Sequence, residues 1–221
     1  MARVPVTAPG RSIFIYGIVY DDKTTEYIQF RNEATEKLWR FENNPMIHIS
    51  DTILSNGDPD DLVGIFSWKF PQKTGLTKAL VMNYIHRNRL SKPDVYNFYR
   101  FNKRRLHFMD WSDAGHKGIR DFIIRCCDHC GMKYNNDPEH IIAANQFVAK
   151  RHIYVSYIND VIKPCLELLE GPMWEEVSKD AGYTRAVPEV KAQGLYNYIP
   201  FILERMMMQY VSHHNLNVVD I

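Results

Sequence analysis

The stretch at residues 60–75 constrains the fold of this chain more than any other part of the sequence. Two aspartates precede the apolar run Leu-Val-Gly-Ile-Phe at 62–66, and Pro71 and Gly75 follow it. A short apolar run between such boundaries is typical of a strand that is buried on both faces. In open α/β sheets, ligands bind in the crevice beyond the carboxyl ends of such strands. The polar and aromatic residues after this strand are therefore expected to line a cleft: Ser67, Trp68, Lys69 and Lys73.

Two cations and one aromatic ring at a strand end suit a particular kind of ligand. Lys69 and Lys73 would attract negative charge, and Trp68 would offer a flat surface to a ring. An anionic ligand that carries a ring, such as a nucleotide, meets both conditions. The simpler alternative is that both lysines are ordinary solvated surface residues, since lysine is mostly exposed in proteins.

The remaining pattern alternates strands with helices, which predicts an α/β domain with a central, mostly parallel sheet flanked by helices. We predict strands at residues 12–20, 46–49 and 145–149 and an extended segment at 94–101. Helices are predicted at residues 25–42, 77–88, 118–130, 151–170 and 198–211, with Gly131 ending one of them. Pro164 is expected to kink the long helix, and Pro200 to lie near the first turn of the last one. Residues 1–11 are predicted to be a flexible tail ahead of a single domain at 12–221.

Composition excludes several classes of function. The chain has 221 residues, a formal net charge of +1, 45% hydrophobic residues and 24% charged residues. A near-neutral charge argues against a polyanion partner, so we expect no nucleic acid, although a basic and aromatic stripe around residues 98–107 is the competing interpretation. We expect no transmembrane segment, because no apolar run approaches about 20 residues. A cytoplasmic location follows, with association at the inner face of a membrane left open.

Three of the four cysteines lie close together in the sequence, at Cys126, Cys127 and Cys130, with His129 among them. This spacing raises the question of a zinc site. Structural zinc sites usually combine two well-separated pairs of ligands, and only Cys165 and scattered histidines remain for a second pair. Buried, reduced thiols on an apolar helix face are the preferred interpretation.

Four segments in order resemble a family of small bacterial glycosyltransferases of capsule, lipopolysaccharide and other surface-glycan assembly. They are Leu-Val-Gly-Ile-Phe-Ser-Trp-Lys-Phe at 62–70, Pro-Asp-Val-Tyr at 93–96 ahead of Asn-Lys-Arg-Arg at 102–105, Asn-Gln-Phe-Val-Ala-Lys at 145–150, and Pro-Phe-Ile-Leu-Glu-Arg-Met at 200–206. The chain departs from the family pattern at Ser67, where the family has His, and at Lys69, where it has Arg.

The resemblance implies a GT-A-like, Rossmann-like nucleotide-sugar fold. It also implies transfer of a sugar from a nucleotide-sugar donor to a glycan or lipid-linked acceptor. A non-catalytic nucleotide- or carbohydrate-binding relative is the alternative. The predicted catalytic residues are Asp94 and Glu204. The predicted donor- and substrate-binding residues are Ser67, Trp68, Lys69, Lys73, Arg104, His116, Asn145 and Arg205.

Each of these residues also has a structural interpretation. Asp94 can cap the Pro-Asp turn, His116 can pack on Trp111, and Asn145 can lie at a strand edge. Glu204 and Arg205 stand in an apolar helix, where buried charges are usually paired, so a supporting role is favoured over a role for Glu204 as a base.

The metal requirement of the predicted transfer stays open. Manganese or magnesium prefers carboxylate oxygens, which many GT-A enzymes supply as Asp-x-Asp directly after a buried strand. Here Ser67-Trp68-Lys69 occupies that position, so Asp94, and further upstream Asp51, are the remaining candidate ligands. The carboxylates at 58–61 precede the strand and are expected at the wrong end of the sheet. The preferred hypothesis is that Lys69, Lys73 and Arg104 stabilise the diphosphate instead.

Overall fold

The computed structural model describes residues 7–8, 11–19, 24–32, 36–100, 107–182 and 196–221, and these ranges form an α/β structure. The strands are β1 (Thr7–Ala8), β2 (Arg11–Val19), β3 (Ile28–Arg31), β4 (Leu62–Ser67), β5 (Val95–Asn97), β6 (Phe147–Lys150) and β7 (Val218–Asp220). The helices are α1 (Asn43–Ile49), α2 (Phe70–Thr74), α3 (Lys78–Asn88), α4 (Phe108–Gly115), α5 (Ile119–His129), α6 (Arg151–Tyr157), α7 (Lys163–Glu170), α8 (Trp174–Val177) and α9 (Tyr198–His214).

The strands form one open sheet in the order β1-β2-β4-β6-β5-β7, and β3 pairs with β2 along the same edge as β1. Strands β2, β3, β4, β5 and β7 run in one direction, whereas β1 and β6 run in the other. The prediction of an α/β fold with a mostly parallel sheet is therefore confirmed. Within the predicted N-terminal tail, Thr7–Ala8 forms a short strand.

Both faces of the sheet are buried, as the apolar run at 62–66 predicts. Val63 and Ile65 lie in a core with α1, α4–α7 and α9. Leu62 and Phe66 lie in a second core with α3 on the opposite face. Because successive side chains of a strand point to opposite faces, an unbroken apolar run is the signature of this three-layer arrangement.

Gly64 lies in the middle of β4 because no larger residue fits there. A Cβ at this position would lie 2.7 Å from Cγ2 of Val148, on the neighbouring strand β6. Gly64 and Val148 are register partners in the β4–β6 pair. The close approach of the two strands at this point explains the only interruption in the apolar run.

Two predicted elements have the wrong type. Residues 25–42, predicted as a helix, contain strand β3 and a 3-10 turn at Leu38–Arg40, and residues 46–49, predicted as a strand, lie in helix α1. Strand β3 forms because it pairs with the exposed edge of β2, a long-range contact that outweighs local propensity. In α1, Met46 and Ile49 are buried at helical spacing, and a short apolar run does not distinguish a helix from a strand.

Several helix signals are confirmed. Gly131 adopts φ 67° beyond the end of α5, and the backbone N–H of Met132 donates to the carbonyl of Cys127 at 2.8 Å. Pro200 lies in the first turn of α9, which Asn197 caps by accepting from the N–H of Ile199 at 3.0 Å. The predicted irregularity at Pro164 is a π-helical turn at Ile158–Ile162, between α6 and α7. A proline lacks the N–H that a regular helix needs, so the helix widens ahead of it.

A buried ion pair between Asp61 and Arg151 lies at the amino end of β4. Nη2 of Arg151 lies 3.0 Å from Oδ2 of Asp61, and both side chains are about nine-tenths buried. Arg151 also donates to the carbonyl of Asn56 at 2.6 Å, and Asp61 accepts from the N–H of Ser12 at 3.0 Å. Asp61 is therefore at the end of the sheet away from the predicted cleft, as expected. Along the described ranges, no helix is both long and apolar enough to cross a membrane.

Candidate functional site

The order of the strands predicts a crevice at the carboxyl ends of β2 and β4. The chain passes from β2 to β3 on one side and then returns to β4 on the other side, and all three strands are parallel. A reversal of this kind leaves an opening between the two central strands, because the connections after them leave in opposite directions. The residues that follow β4 therefore lie beside the crevice that the sequence predicts.

The turn after β4 is held by backbone contacts that position Trp68 and Lys69. The N–H of Trp68 donates to the carbonyl of Ile18 at 2.9 Å, which extends the pairing of β4 with β2 by one residue. Oγ of Ser67 accepts from the N–H of Lys69 at 3.1 Å. Ser67 thus orients the turn, and Trp68 is half-buried beside it.

Lys69, directly before α2, and Lys73, within α2, form a pair of cations. The N–H of Lys73 donates to the carbonyl of Lys69 at 2.9 Å, so the two residues are one helical turn apart. Both side chains are exposed, and Nζ of Lys69 lies 5.1 Å from the centroid of the Trp68 ring. The structure therefore brings together the ring and the two cations that the sequence analysis combined.

Glu42 lies next to these cations, and the sequence analysis did not identify it. Burial raises the pKa of its carboxyl group, and the charge of Glu204 raises that pKa further, whereas Lys73 and Lys69 lower it. Glu42 is thus within electrostatic range of three charged residues that come from two other parts of the chain. No pattern around Glu42 distinguishes it from the other acidic residues, because its partners are distant in sequence.

The segment before Glu42 is anchored firmly to the end of α7. Glu170 accepts from Nζ of Lys37 at 2.6 Å, from Nε1 of Trp39 at 3.3 Å and from the guanidinium of Arg40. Phe41, directly before Glu42, has φ 46° and stacks against Tyr196 with ring centroids 5.8 Å apart. Positive φ is costly for a bulky residue and persists only where surrounding contacts enforce it, a feature often found at functional sites.

Glu204 and Arg205, adjacent on α9, occupy different environments. The side chain of Glu204 is 25% exposed, whereas that of Arg205 is 6% exposed. Nε of Arg205 donates to Oγ of Ser112 at 2.6 Å, and its Nη1 donates to the carbonyl of Phe201. The closest approach of the two charges is 4.0 Å, beyond hydrogen-bond distance. Arg205 therefore holds α9 against α4 inside the protein, and Glu204 is not its main partner.

Tyr99 connects Glu204 to the carboxyl end of β5. It follows this strand by two residues, and its N–H donates to Oδ1 of Asn97 at 3.0 Å. Burial raises the pKa of the Tyr99 phenol, Arg205 lowers it, and the charge of Glu204 raises it. The phenol is therefore within electrostatic range of Glu204, and Tyr99 follows β5 at the end of the sheet where Lys69 follows β4.

Asp94 lies at the amino end of β5, which is the end of the sheet opposite to Lys69, so the structure does not bring it together with Lys69 or Glu204. It precedes β5, and its Oδ1 accepts from Nζ of Lys150 at 2.7 Å, while its Oδ2 accepts from the N–H of Asn217 at 3.0 Å. These contacts lower the pKa of Asp94 against the opposing effect of burial, which is the largest influence on it. Asp94 joins β5, β6 and β7, which corrects the expected position of this residue in the cleft.

His116 is enclosed rather than presented to a ligand. Its ring is 7% exposed and stacks on Phe201 with centroids 4.1 Å apart, and its Nδ1 is 2.9 Å from the carbonyl of Ala181. Burial lowers the pKa of His116, the Ala181 carbonyl raises it and the charge of Arg205 lowers it, so the ring is neutral at pH 7. The packing alternative describes this environment, although the partner is Phe201 instead of Trp111.

Asn145 lies at the start of β6, on the same side of the sheet as the crevice. It is 6% exposed and has φ 53°, and Ala144 before it has φ 55°. The N–H of Gln146 donates to the carbonyl of Ala143 at 3.3 Å, which closes a tight turn whose two central residues both have positive φ. This strained turn directs the chain into β6 beside the end of β5.

The remaining predicted residues concern the basic loop and the metal. Arg104 lies outside the residues that the structure describes. Asp51 pairs with Lys163 at 2.7 Å, so its carboxylate has a cation as its partner. Across the described part of the chain, no cluster of three or more His, Cys, Asp or Glu side chains is arranged to hold a metal ion.

The charged residues around the crevice can therefore bind an anion through Lys69 and Lys73 and can move a proton through Glu42 or Glu204. Comparison with family models, curated proteins and solved structures found no match to this chain.

Proposed function

We propose that this protein is a glycosyltransferase with a GT-A-like fold that moves a sugar from a nucleotide-sugar donor to a glycan or lipid-linked acceptor. The observation that carries the proposal is the pair of cations, Lys69 and Lys73, that follows the carboxyl end of β4, with Glu42 within electrostatic range of both lysines and of Glu204. Cations at this point suit a diphosphate, and carboxylates opposite them suit an acceptor hydroxyl. The resemblance of residues 60–211 to glycosyltransferases supports the same assignment.

In the proposed reaction, the bond between the sugar and the diphosphate breaks, and negative charge develops on the departing diphosphate. Lys69 and Lys73 stabilise that charge from fixed positions on α2, which is the main requirement of the transition state. Trp68 offers its ring face to the base or the sugar. Asn145, in the buried turn before β6, carries a side-chain amide, which suits a sugar hydroxyl because an amide both donates and accepts.

The acceptor hydroxyl must lose a proton as it attacks the sugar. We assign the base to Glu204, because its carboxylate is partly exposed and is not committed to Arg205. Glu42 lies within electrostatic range of Glu204, whose charge raises the pKa of the Glu42 carboxyl group. A general base of this kind contributes roughly 100-fold or more to the rate.

Thermal-shift measurements with nucleotides test the donor. Uridine or guanosine diphosphate at millimolar concentration should raise the melting temperature, because a ligand that binds only the folded state stabilises it. Adenosine triphosphate should have a much weaker effect. Equal shifts from all nucleotides, or no shift from any, would refute the nucleotide-sugar assignment.

Transfer assays with and without a chelator test the role of the cations. The described carboxylates do not supply a ligand set of the kind that manganese or magnesium prefers after β4, since Ser67-Trp68-Lys69 occupies that position. We therefore expect transfer to continue in the chelator. Complete loss of transfer on chelation, restored by manganese or magnesium, would replace the fixed-cation mechanism with a metal-dependent one.

A non-catalytic nucleotide- or carbohydrate-binding protein is the second candidate. The absence of a carboxylate at Ser67-Trp68-Lys69 favours it, because many GT-A enzymes place a metal ligand there. The two candidates differ in a single measurement. A binding protein would show the nucleotide shift but would neither transfer sugar nor hydrolyse any nucleotide sugar of a donor panel.

A further inference from the structure

Three thiols meet where α5 packs against α7, and Cys165 is distant in sequence from Cys126 and Cys130. Sγ of Cys130 lies 3.6 Å from Sγ of Cys165, and Cys126 is also within hydrogen-bonding reach of Cys165. Helix α5 packs directly against α7, so the contact is part of a helix–helix interface. No metal-binding cluster accounts for this grouping among the described residues. The nucleotide site does not use these thiols either.

The two thiols of the closest pair are not equivalent. Cys130 is half-buried, whereas Cys165 is fully buried. The hydrogen bond between the two thiols lowers the pKa of the Cys130 thiol, in opposition to the effect of burial. The reactive form of cysteine is the thiolate, so Cys130 is both the more accessible and the more nucleophilic of the two.

Cys127 provides an internal comparison on the same helix. It is fully buried, and burial raises the pKa of its thiol to about 12. A buried thiol with so high a pKa is nearly inert toward oxidants at neutral pH. Two cysteines within three residues of each other are therefore expected to differ strongly in reactivity.

We propose that Cys130 and Cys165 form a reversible, oxidation-sensitive dithiol that closes to a disulfide between α5 and α7. The chemical class of the oxidant is a hydroperoxide, and hydrogen peroxide is the probe. In the first step, the Cys130 thiolate attacks one peroxide oxygen, and the O–O bond breaks to give Cys130 sulfenic acid and hydroxide. In the second step, Sγ of Cys165 attacks the sulfenic sulfur and releases water. The hydroxide takes up the proton that Cys130 lost on forming its thiolate, so two thiols are oxidised to one disulfide and one peroxide is reduced to two waters.

The disulfide would join two helices that both support the proposed nucleotide site. Helix α7 ends in Glu170, which anchors the segment before Glu42, and α5 packs against α9, which carries Glu204. Intracellular disulfides that form transiently are usually redox-sensing, which is the role expected here.

Treatment of the reduced full-length protein with hydrogen peroxide tests the proposal. We expect a mass loss of about 2 Da, protection of two of the four thiols from alkylation, and full reversal by dithiothreitol. Peptide mapping after alkylation should join the segment that contains Cys130 to the segment that contains Cys165. A wild-type protein that accumulates Cys130 sulfinic acid, while Cys165 remains open to alkylation after denaturation, would overturn the proposal.

Three variants complete the test, with circular dichroism and melting curves checking that each one folds. Cys127→Ala is the matched control and should form the disulfide at an unchanged rate. Cys130→Ser should abolish the disulfide to Cys165, because both the first nucleophile and one of the two sulfurs of the bond are missing. Cys165→Ala should instead let Cys130 proceed to sulfinic acid, since no second thiol captures the sulfenic acid. Disulfide formation in Cys130→Ser at the wild-type rate would also refute the assignment, and this variant changes only a half-buried position.

Discussion

Replacement of Lys69 by alanine tests the proposed anion site most directly, because this side chain combines exposure with a defined position. Lys69 lies at the carboxyl end of β4, and its ammonium is 5.1 Å from the centroid of the Trp68 ring. It has no partner carboxylate among the ion pairs of the described residues. The variant should therefore lose nucleotide diphosphate affinity without a large loss of stability.

The size of both effects follows from the environment of Lys69. A hydrogen bond to a charged group contributes about 1.5–3 kcal/mol. Because Lys69 is exposed, water and salt screen its charge, so we expect the lower end of this range, which corresponds to an affinity about tenfold weaker. The stability of the fold should fall by only about 0.5–1 kcal/mol, the contribution of an exposed cation–π contact. The N–H of Lys69 keeps its bond to Ser67 in the variant, because that bond is made by the backbone.

Isothermal titration of uridine diphosphate at two salt concentrations measures the first effect, and thermal melting measures the second. Lys92→Ala is the matched control, since Lys92 is also exposed but precedes β5, at the end of the sheet opposite to Lys69. The control should bind as tightly as the parent protein. If Lys69→Ala binds the diphosphate normally but melts several degrees lower, Lys69 belongs to the fold and the anion site lies elsewhere.

Three other substitutions test the neighbouring groups. Glu204→Gln should lower the free energy of unfolding by at most about 1 kcal/mol, because Arg205 has other partners. The same change should reduce sugar transfer roughly 100-fold. A large loss of stability with normal transfer would assign Glu204 to structure. The pKa of Glu42 is raised on folding, so its contribution to stability is complete below the ordinary glutamate pKa and is lost as the pH rises through the raised value. The Glu42→Gln variant should therefore show a smaller fall in melting temperature as the pH rises through this range, and at neutral pH it should melt at a higher temperature than the parent protein. An unchanged dependence of melting temperature on pH would contradict the assigned burial of Glu42. Asp61→Asn should lower the free energy of unfolding, measured in urea, by about 3 kcal/mol. This is the lower end of the range for a broken buried ion pair, because Arg151 keeps its carbonyl partners. A loss below about 1 kcal/mol would show that this ion pair is not essential.

The central strand of the site was predictable from the sequence because its signal is local. The apolar run at 62–66 predicts burial on both faces, and the two cores confirm it. The positions of Ser67, Trp68 and Lys69 follow directly, since residues that come after a strand must lie at its carboxyl end. The apolar sequence around Arg205 also predicts that this charge is buried and needs a partner. The sequence does not predict which partners it has, namely Ser112 and a backbone carbonyl.

The wrong assignments share one physical origin. Residues 28–31 form a strand because the edge of β2 is available to them, and no local pattern encodes that edge. The segment at 93–96 resembles a glycosyltransferase motif in sequence, but β5 begins after Asp94. Asp94 therefore lies at the amino end of this strand, away from the carboxyl ends where the ligand was expected. The antiparallel strand β6 then brings Lys150 to the same edge, where the two charges pair at 2.7 Å.

Glu42 is the clearest case of a residue that only the tertiary structure places. The sequence by itself determines that the chain has a buried α/β core and that two cations follow its central strand. The tertiary structure decides which carboxylate comes within range of those cations, because Glu42 is distant from them in sequence. Hydrophobic periodicity is a property of neighbouring residues and can be read locally, whereas the electrostatic environment of a carboxylate depends on which distant segments fold against it.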